Sequence, residues 1–358
     1  MAAVSPQIFP SDTVVDVEGG ETLKPCLLFV KCNQKEDDDK IAPTRTMTIE
    51  EGLRPLLVSM KLVGLYVSRP SPDAGYDQEK KSPKWNAYRI YAVAVAILLW
   101  INSVRFFSAF THEDRFGLIL FNKLIGIIWS IQCAISQTAF YMASFSGRLA
   151  VVFNHVLEGS CAKGARNVAT FCTVAAWSIV VCGMAFFAYL LNFSNGLMDS
   201  AVAPFQNHIA ISHPLVPRII ASFISFYLMS AYIFSQATTF VLAMIFSHQF
   251  KAAIDLLSYY LDNHERRVSD KDIETLRQRH QEISMNVSNV DDSLMFSNAS
   301  AFCCQVFCLV VLLYTLVFYH SFVTDAVVII SFVFWMIMFA IGLVLTATGG
   351  IIVHHYVS

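Results

Sequence analysis

Arg105 and Lys123 are two cations set inside long apolar runs of a 358-residue chain. A charge in hydrocarbon is costly, so it either reaches the interface along its own aliphatic stem or lines a polar cavity. Arg105 lies near the end of the first run and Lys123 near the start of the second, so snorkelling accounts for both. A charge lining a cavity at that end is the functional alternative. Gln132, Ser136 and Gln137 share the second run. Hydrogen bonds that glue helices together are the safer reading of these three, and a water-lined surface is the other. No run carries the ladder of acidic residues that a proton-coupled transporter needs.

Aromatic side chains offer a second kind of chemistry. Phe186, Phe187 and Tyr189 close the third run, and Phe223, Phe226 and Tyr227 open the fourth. Tyr314, Phe318 and Tyr319 close the fifth, and Phe332, Phe334 and Trp335 lie in the sixth. Aromatic belts and lipid-facing packing explain most of them. Four helices nevertheless bring rings and hydroxyls to one depth, which suits a pocket for a small, mostly apolar ligand. The candidate lining is Lys123, Phe187, Phe226, Tyr227, Tyr314, Phe318, Phe332 and Trp335.

Covalent and metal chemistry have little to stand on. There is no HExxH, no GxSxG and no phosphate-binding glycine loop, so the chain is not expected to be an enzyme or to hold a cofactor. Cys303, Cys304 and Cys308 lack zinc-ligand spacing, and the nine cysteines suit small buried residues better than a disulfide framework. His354 and His355 are neighbours, which point in different directions on a helix, so a tail is the default.

The elements that must position these residues follow from composition. The chain is 55% hydrophobic and 15% charged, against about 25% charged in a soluble protein. The apolar residues gather in six runs, roughly 88–110, 117–144, 167–191, 218–246, 299–322 and 325–348, each long enough to cross a bilayer as a helix. The expected fold is all-α: a polytopic transmembrane bundle, 88–348, whose connection 247–298 is a pair of long cytosolic helix extensions. Residues 1–48 are polar, with Glu36-Asp37-Asp38-Asp39-Lys40, and suit a disordered tail. Residues 49–87 hold "LRPLLVSMKLVGLY", too short to span, which suits a helix at the interface or packed under the bundle. Residues 349–358, after the helix-breaking Gly349-Gly350, form a final tail.

Basic residues orient the bundle. Lys80, Lys81, Lys84 and Arg89 precede the first run; Arg148, Lys163 and Arg166 follow the second; Lys251, Arg266, Arg267, Lys271, Arg277 and Arg279 follow the fourth. The opposite side has Arg115 alone, in a short turn, and no Lys or Arg between Asn192 and Pro217. A cytosolic N-terminus follows as an expectation; a plasma-membrane location is expected from the family resemblance given below. Asn192-Phe193-Ser194 is a sequon on the outer side, whereas those at Asn286 and Asn298 face the cytosol or the membrane.

Ile273, Leu276, His280, Ile283, Val287, Val290 and Leu294 are spaced three, four, three, four, three and four. That is a heptad seam, and Asp270 is a helix cap ahead of it. The seam serves packing within the chain, or also joins subunits; spacing does not separate the two. His280 suits a seam or solvent position better than a pH switch.

Glu113-Asp114-Arg115-Phe116 invites a G-protein-coupled-receptor reading, but charge bias puts it outside, and the 11 prolines lie outside the runs. A transporter or accessory subunit is a further alternative. With its N-terminus inside, "LRPLLVSMKLVGLY" before the first run, "FGLILFNKLIGIIWSIQCAISQTAFYMASFSGRL" over the second and a long helical connection before "LVVLLYTLVFYH", the chain resembles the insect-type gustatory and odorant receptor superfamily, in its gustatory-receptor-like branch. The likeness covers about residues 50 to 345. It implies a subunit of a ligand-gated cation channel, assembled as a homo- or hetero-tetramer with related chains, in contact with membrane lipids and not with nucleic acid. It further implies a ligand pocket in the outer half, a cytosolic anchor containing the 273–294 seam, and a pore lined by a seventh helix. The seventh helix's Thr-Tyr, five hydrophobics, Gln-Phe motif is absent, and Thr239-Phe240 with Gln249-Phe250 has the wrong spacing. "TATGGIIVHHYVS" stands where that helix should follow, so the expectation is a chain truncated before it and non-conducting alone.

Overall fold

A computed structural model describes residues 47–67, 83–108, 110, 118–157, 159–193, 215–262, 270–318 and 326–357. The expected tail before Met47, the Glu113-Asp114-Arg115-Phe116 stretch, Tyr319 and the side chains of His354 and His355 lie outside the described residues.

Six of the helices are long and apolar enough to cross a membrane. They are α3 (Pro83–Phe107), α4 (Leu118–Phe145), α6 (Gly159–Phe193), α7 (Leu215–Asp262), α8 (Asp270–Phe318) and α9 (Ala326–Val357). Three short ones, α1 (Ile49–Gly52), α2 (Arg54–Leu62) and α5 (Arg148–Phe153), complete the described set. The strands β1 (Met47–Thr48) and β2 (Val156–Leu157) form one antiparallel pair. The fold is an all-α polytopic bundle. Its outer faces carry exposed bulky residues such as Ile101 and Val104 on α3, Phe171 and Val181 on α6, Val310 on α8 and Val344 on α9. A soluble monomer does not leave that much apolar surface in water, whereas a multi-pass membrane protein does.

At 48 and 49 residues, α7 and α8 are each about 70 Å long, more than twice the bilayer core of about 30 Å. Both run past the other spans at one end, called the extension end below. Helix α7 is also the axis of the bundle. It packs on α2, α3, α4, α6, α8 and α9, and 83% of its most apolar window is buried, against 28–44% in the other five.

The segment before α3 packs against the bundle. A capping box opens it: Glu51 N donates to Thr48 Oγ1 and Thr48 N to Glu51 Oε2, both at 3.2 Å. Ile49, Leu53, Leu56, Leu57 and Met60 recur at helical spacing, and all are buried. They insert among the spans instead of lying on their ends. Small residues of α6 (Ala162, Ala165 and Ala169, all buried) let the backbones approach. Trp177 Nε1 donates to Ser59 Oγ at 2.9 Å, and Thr238 Oγ1 to Met60 Sδ at 3.0 Å. Where the chain leaves α2, its carbonyls would be stranded in apolar surroundings. Tyr91 donates to Leu62 O at 2.7 Å and Gln137 Nε2 donates to Gly64 O, which meets the rule that irregular backbone at membrane depth must be satisfied by protein. Gly64 takes φ 77, a left-handed turn that a side chain resists. Burial pushes the Lys61 ammonium below its ordinary range, against the opposing pull of Glu50.

Several boundaries differ from expectation. Helix α3 starts at Pro83, inside the stretch assigned to the linker, and α6 starts at Gly159, eight residues before 167. Asp270 is the first residue of α8 instead of a cap ahead of it. Pro217 falls inside α7, in its first turn, where its missing N–H costs nothing. Helix α9 runs through Gly349-Gly350 to Val357, so the pair does not end it. Two glycines cost about 2 kcal/mol of helix propensity, less than leaving several peptide groups unpaired beside apolar residues.

Candidate functional site: a cavity opposite the extensions

All six long helices contribute to one cavity of about 140 Å³, at the end of the bundle away from the extensions. Helical spacing puts its lining on single faces. Asn102, Arg105 and Phe106 come from α3 at i, i+3 and i+4. Asn122, Gly126 and Trp129 come from α4, and Ala221, Ser225 and Leu228 from α7, both at i, i+4 and i+7. Phe332, Trp335 and Phe339 come from α9 at i, i+3 and i+7. Phe187 and Leu190 of α6 and Leu312 of α8 close the sides. Gly126 lets α3 come close, since a Cβ there would stand 3.2 Å from the Phe106 ring, a tight contact.

An aromatic floor separates the cavity from the rest of the interior. Trp129 meets Trp335 edge-on at 5.6 Å between centroids and Tyr232 at 6.5 Å, while Phe339 lies 5.8 Å from Tyr232. Below it, Gln305 Nε2 donates to the Tyr232 hydroxyl at 3.1 Å. Polar residues nearer the extension end tie α4 to α8. Ser300 Oγ donates to Gln132 Oε1 at 2.7 Å, and the Ser136 and Ser297 hydroxyls are 3.0 Å apart. The helix-glue reading of Gln132, Ser136 and Gln137 therefore fits their contacts.

No protein-family model, curated protein or solved structure matches the chain. The site is read from geometry alone.

Three of the eight expected lining residues, Phe187, Phe332 and Trp335, face the cavity. The other five do not. Lys123 is 7% exposed and folds against the Phe110 ring, 5.9 Å from its centroid. Phe226 stacks on Trp177, and the Tyr227 hydroxyl lies 3.1 Å from that of Tyr91. They follow Ser225 by about 100° and 200° around α7, so they share its depth and miss its face. Tyr314 and Phe318 pack on each other at 4.6 Å and are exposed on the outer surface. Arg105, for which snorkelling was the preferred account, lines the cavity half-buried.

The heptad seam divides in two. Ile283 and Leu294 are buried, with Val287 and Val290 packed beside them, against α4, α5 and α7. Ile273 is 55% exposed, Leu276 is half-buried, and His280 is exposed with its ring 5.7 Å from that of Phe250. Asn192 is exposed near the end of α6, its Oδ1 accepting from Arg218 at 3.2 Å, whereas Asn286 is 3% exposed within α8. Cys304 and Cys308 approach to 3.8 Å between sulfurs, and no group of three potential metal ligands gathers among the described residues.

Proposed function

We propose that the chain is a gustatory-receptor-like chemoreceptor subunit that binds a small, largely apolar molecule in this cavity. The observation that carries the reading is the cavity itself, enclosed by all six spans, lined by rings and aliphatic side chains, and supplied with a few convergent polar groups. Ligand entry has a route to the rest of the molecule. Helix α7 forms one wall and continues unbroken into the extension end, so a shift of its upper turns moves the surface where α7 meets α8. In this reading the chain sits in the plasma membrane with its N-terminus cytosolic, the cavity faces outward, and the extensions meet those of related chains in a tetramer. Because α7 fills the bundle axis, conduction belongs to the assembly and not to the centre of one chain.

Binding is testable with a bromine-labelled apolar probe, 6-bromohexan-1-ol, which quenches tryptophan on contact. In lipid nanodiscs, a saturable quench is expected from Trp129 and Trp335. It should disappear when both are replaced by Phe, and again in Ala221→Leu, which fills the cavity. A quench that is linear in probe and untouched by these changes reports lipid partition only and removes the cavity as a ligand site.

Orientation has its own test. Asn192 is exposed and is expected to carry a glycan, so Asn192→Gln should abolish an endoglycosidase shift. A shift that instead depends on Asn286 inverts the topology.

A further inference from the structure

Polar groups in the cavity wall fall into two sets. Arg105 Nη2 donates to Asn102 Oδ1 at 2.9 Å, Asn102 Nδ2 donates to Ser130 Oγ at 3.0 Å, and Ser331 is also engaged. Those groups belong to the wall. Asn122 of α4 and Ser225 of α7 line the same cavity, yet have no hydrogen-bond partner among the described residues. Ser225 is 7% exposed and Asn122 is half-buried. A hydroxyl inside a helix commonly bonds the carbonyl four residues back. Ser103 does so to Leu99 O at 2.9 Å, and Thr238 to Phe234 O at 2.8 Å, whereas Ser225 does not.

Their placement makes the two a pair. Trp129 of α4 and Tyr232 of α7 meet edge-on at the floor. Asn122 lies seven residues before Trp129, and Ser225 seven before Tyr232. Seven residues are about two turns, so each keeps the angular face of the ring that follows it. Both helices run from the cavity toward the extension end. The amide and the hydroxyl therefore border one space from two walls, each about 10 Å above the floor. An unsatisfied amide or hydroxyl in an apolar wall is costly. Asn122 brings a donor and an acceptor, and Ser225 serves as either. A hydroxyl is a small neutral group that accepts from one while donating to the other.

We infer that the cavity selects small neutral alcohols, with the hydroxyl held between Asn122 and Ser225 and the carbon chain directed at the Trp129 and Trp335 rings. This rests on the cavity being the ligand site. The drop of about 10 Å from the polar pair to the floor is close to the length of an extended hexanol. A hydrocarbon of that length fills the same space and strands both polar groups. A site built to bond a hydroxyl rejects an analogue without one for that reason.

The test compares 6-bromohexan-1-ol with 1-bromohexane on the full chain in nanodiscs, by saturable tryptophan quenching, with each probe counted per lipid. The bromine sits at the end of the chain away from the hydroxyl, where the floor tryptophans are. Lipid partition favours the bromoalkane, so a preference for the alcohol is diagnostic. The alcohol should half-saturate at about one tenth of the bromoalkane level, the worth of roughly one hydrogen bond. Ser225→Ala should lower that ratio several-fold, and adding Asn122→Leu should bring it to about one, with bromoalkane binding kept or tightened. Thermal melts check each variant for folding; if the double variant does not fold, Ser225→Ala decides. Equal or stronger binding of the bromoalkane in the unaltered chain, or a ratio untouched by these substitutions, overturns the inference and leaves the cavity a ligand site. Absence of saturable quenching by either probe overturns both readings.

Discussion

Gly342→Val is expected to leave little folded protein. A Cβ at Gly342 of α9 would stand 2.7 Å from both Gln305 Nε2 on α8 and the Tyr232 hydroxyl on α7. Those two atoms are each other's hydrogen-bond partners, at 3.1 Å, and both side chains are buried. Three helices meet at this point, so no neighbour can yield by turning toward solvent. A valine must push Gln305 off Tyr232, which overpacks the core and strands polar groups together. Overpacking costs about 1–3 kcal/mol, and each orphaned buried group about 1–3 kcal/mol more. The expected loss of about 3–5 kcal/mol is a large part of an ordinary protein's stability. Gly350→Val, eight residues on in the same helix, is the control: a Cβ there meets nothing within 4 Å. Thermal melting and size-exclusion profiles in detergent should separate the two variants clearly, with Gly342→Ala between them. Equal behaviour of the two glycines would mean that the three-helix contact does not support the fold.

Depth along each span was legible in the sequence, and direction around each span was not. Hydrophobic runs of span length place six helices because peptide groups in hydrocarbon must pair within their own segment. The same runs are apolar on every side, so they show no stripe to mark which face turns inward. This is why Phe187, Phe332 and Trp335 line the cavity while Lys123, Phe226, Tyr227, Tyr314 and Phe318, at similar depth, face elsewhere. Polar residues carried the missing information. Asn102, Arg105, Asn122, Ser225 and Ser331 all line the cavity, and polar atoms inside a span turn away from lipid. Small and polar residues at i, i+3 and i+4 mark the inward faces of α3 (Asn102, Arg105), α4 (Asn122, Gly126) and α7 (Ala221, Ser225). The insertion of α2 was hidden for another reason. Its apolar face has the same pattern whether it meets lipid or protein, and the carbonyls it brings to Gln137 and Tyr91 come from Gly64 and Leu62, whose exposure depends on where the helix stops. The seam was visible as a seven-residue repeat, but a repeat names a contact surface without naming the partner.

The two halves of that seam are expected to fail differently. Ile283 is 1% exposed, packed within the chain where α8 meets its neighbours. Ile283→Asp puts a carboxylate into an apolar contact and removes a fully buried side chain, so the folded yield should drop. Ile273 continues the same repeat ten residues toward the helix start, yet it is 55% exposed. An aspartate there meets water in the single chain and costs little, since substitutions at solvated positions usually stay within about 0.5 kcal/mol. The register is unbroken between the halves, so the outer one presents a helix-packing face continuous with a contact already made inside the chain. A second copy carries the same face and is the occupant expected to cover it. Ile273→Asp should therefore keep the melting temperature of the isolated subunit and shift the particle from oligomer to single chain, as read by mass photometry in detergent. Loss of folding in both variants would make the whole seam an intrachain contact. Unchanged particle mass in a folded Ile273→Asp chain would leave the outer half as a solvated helix and remove the subunit contact from the proposed assembly.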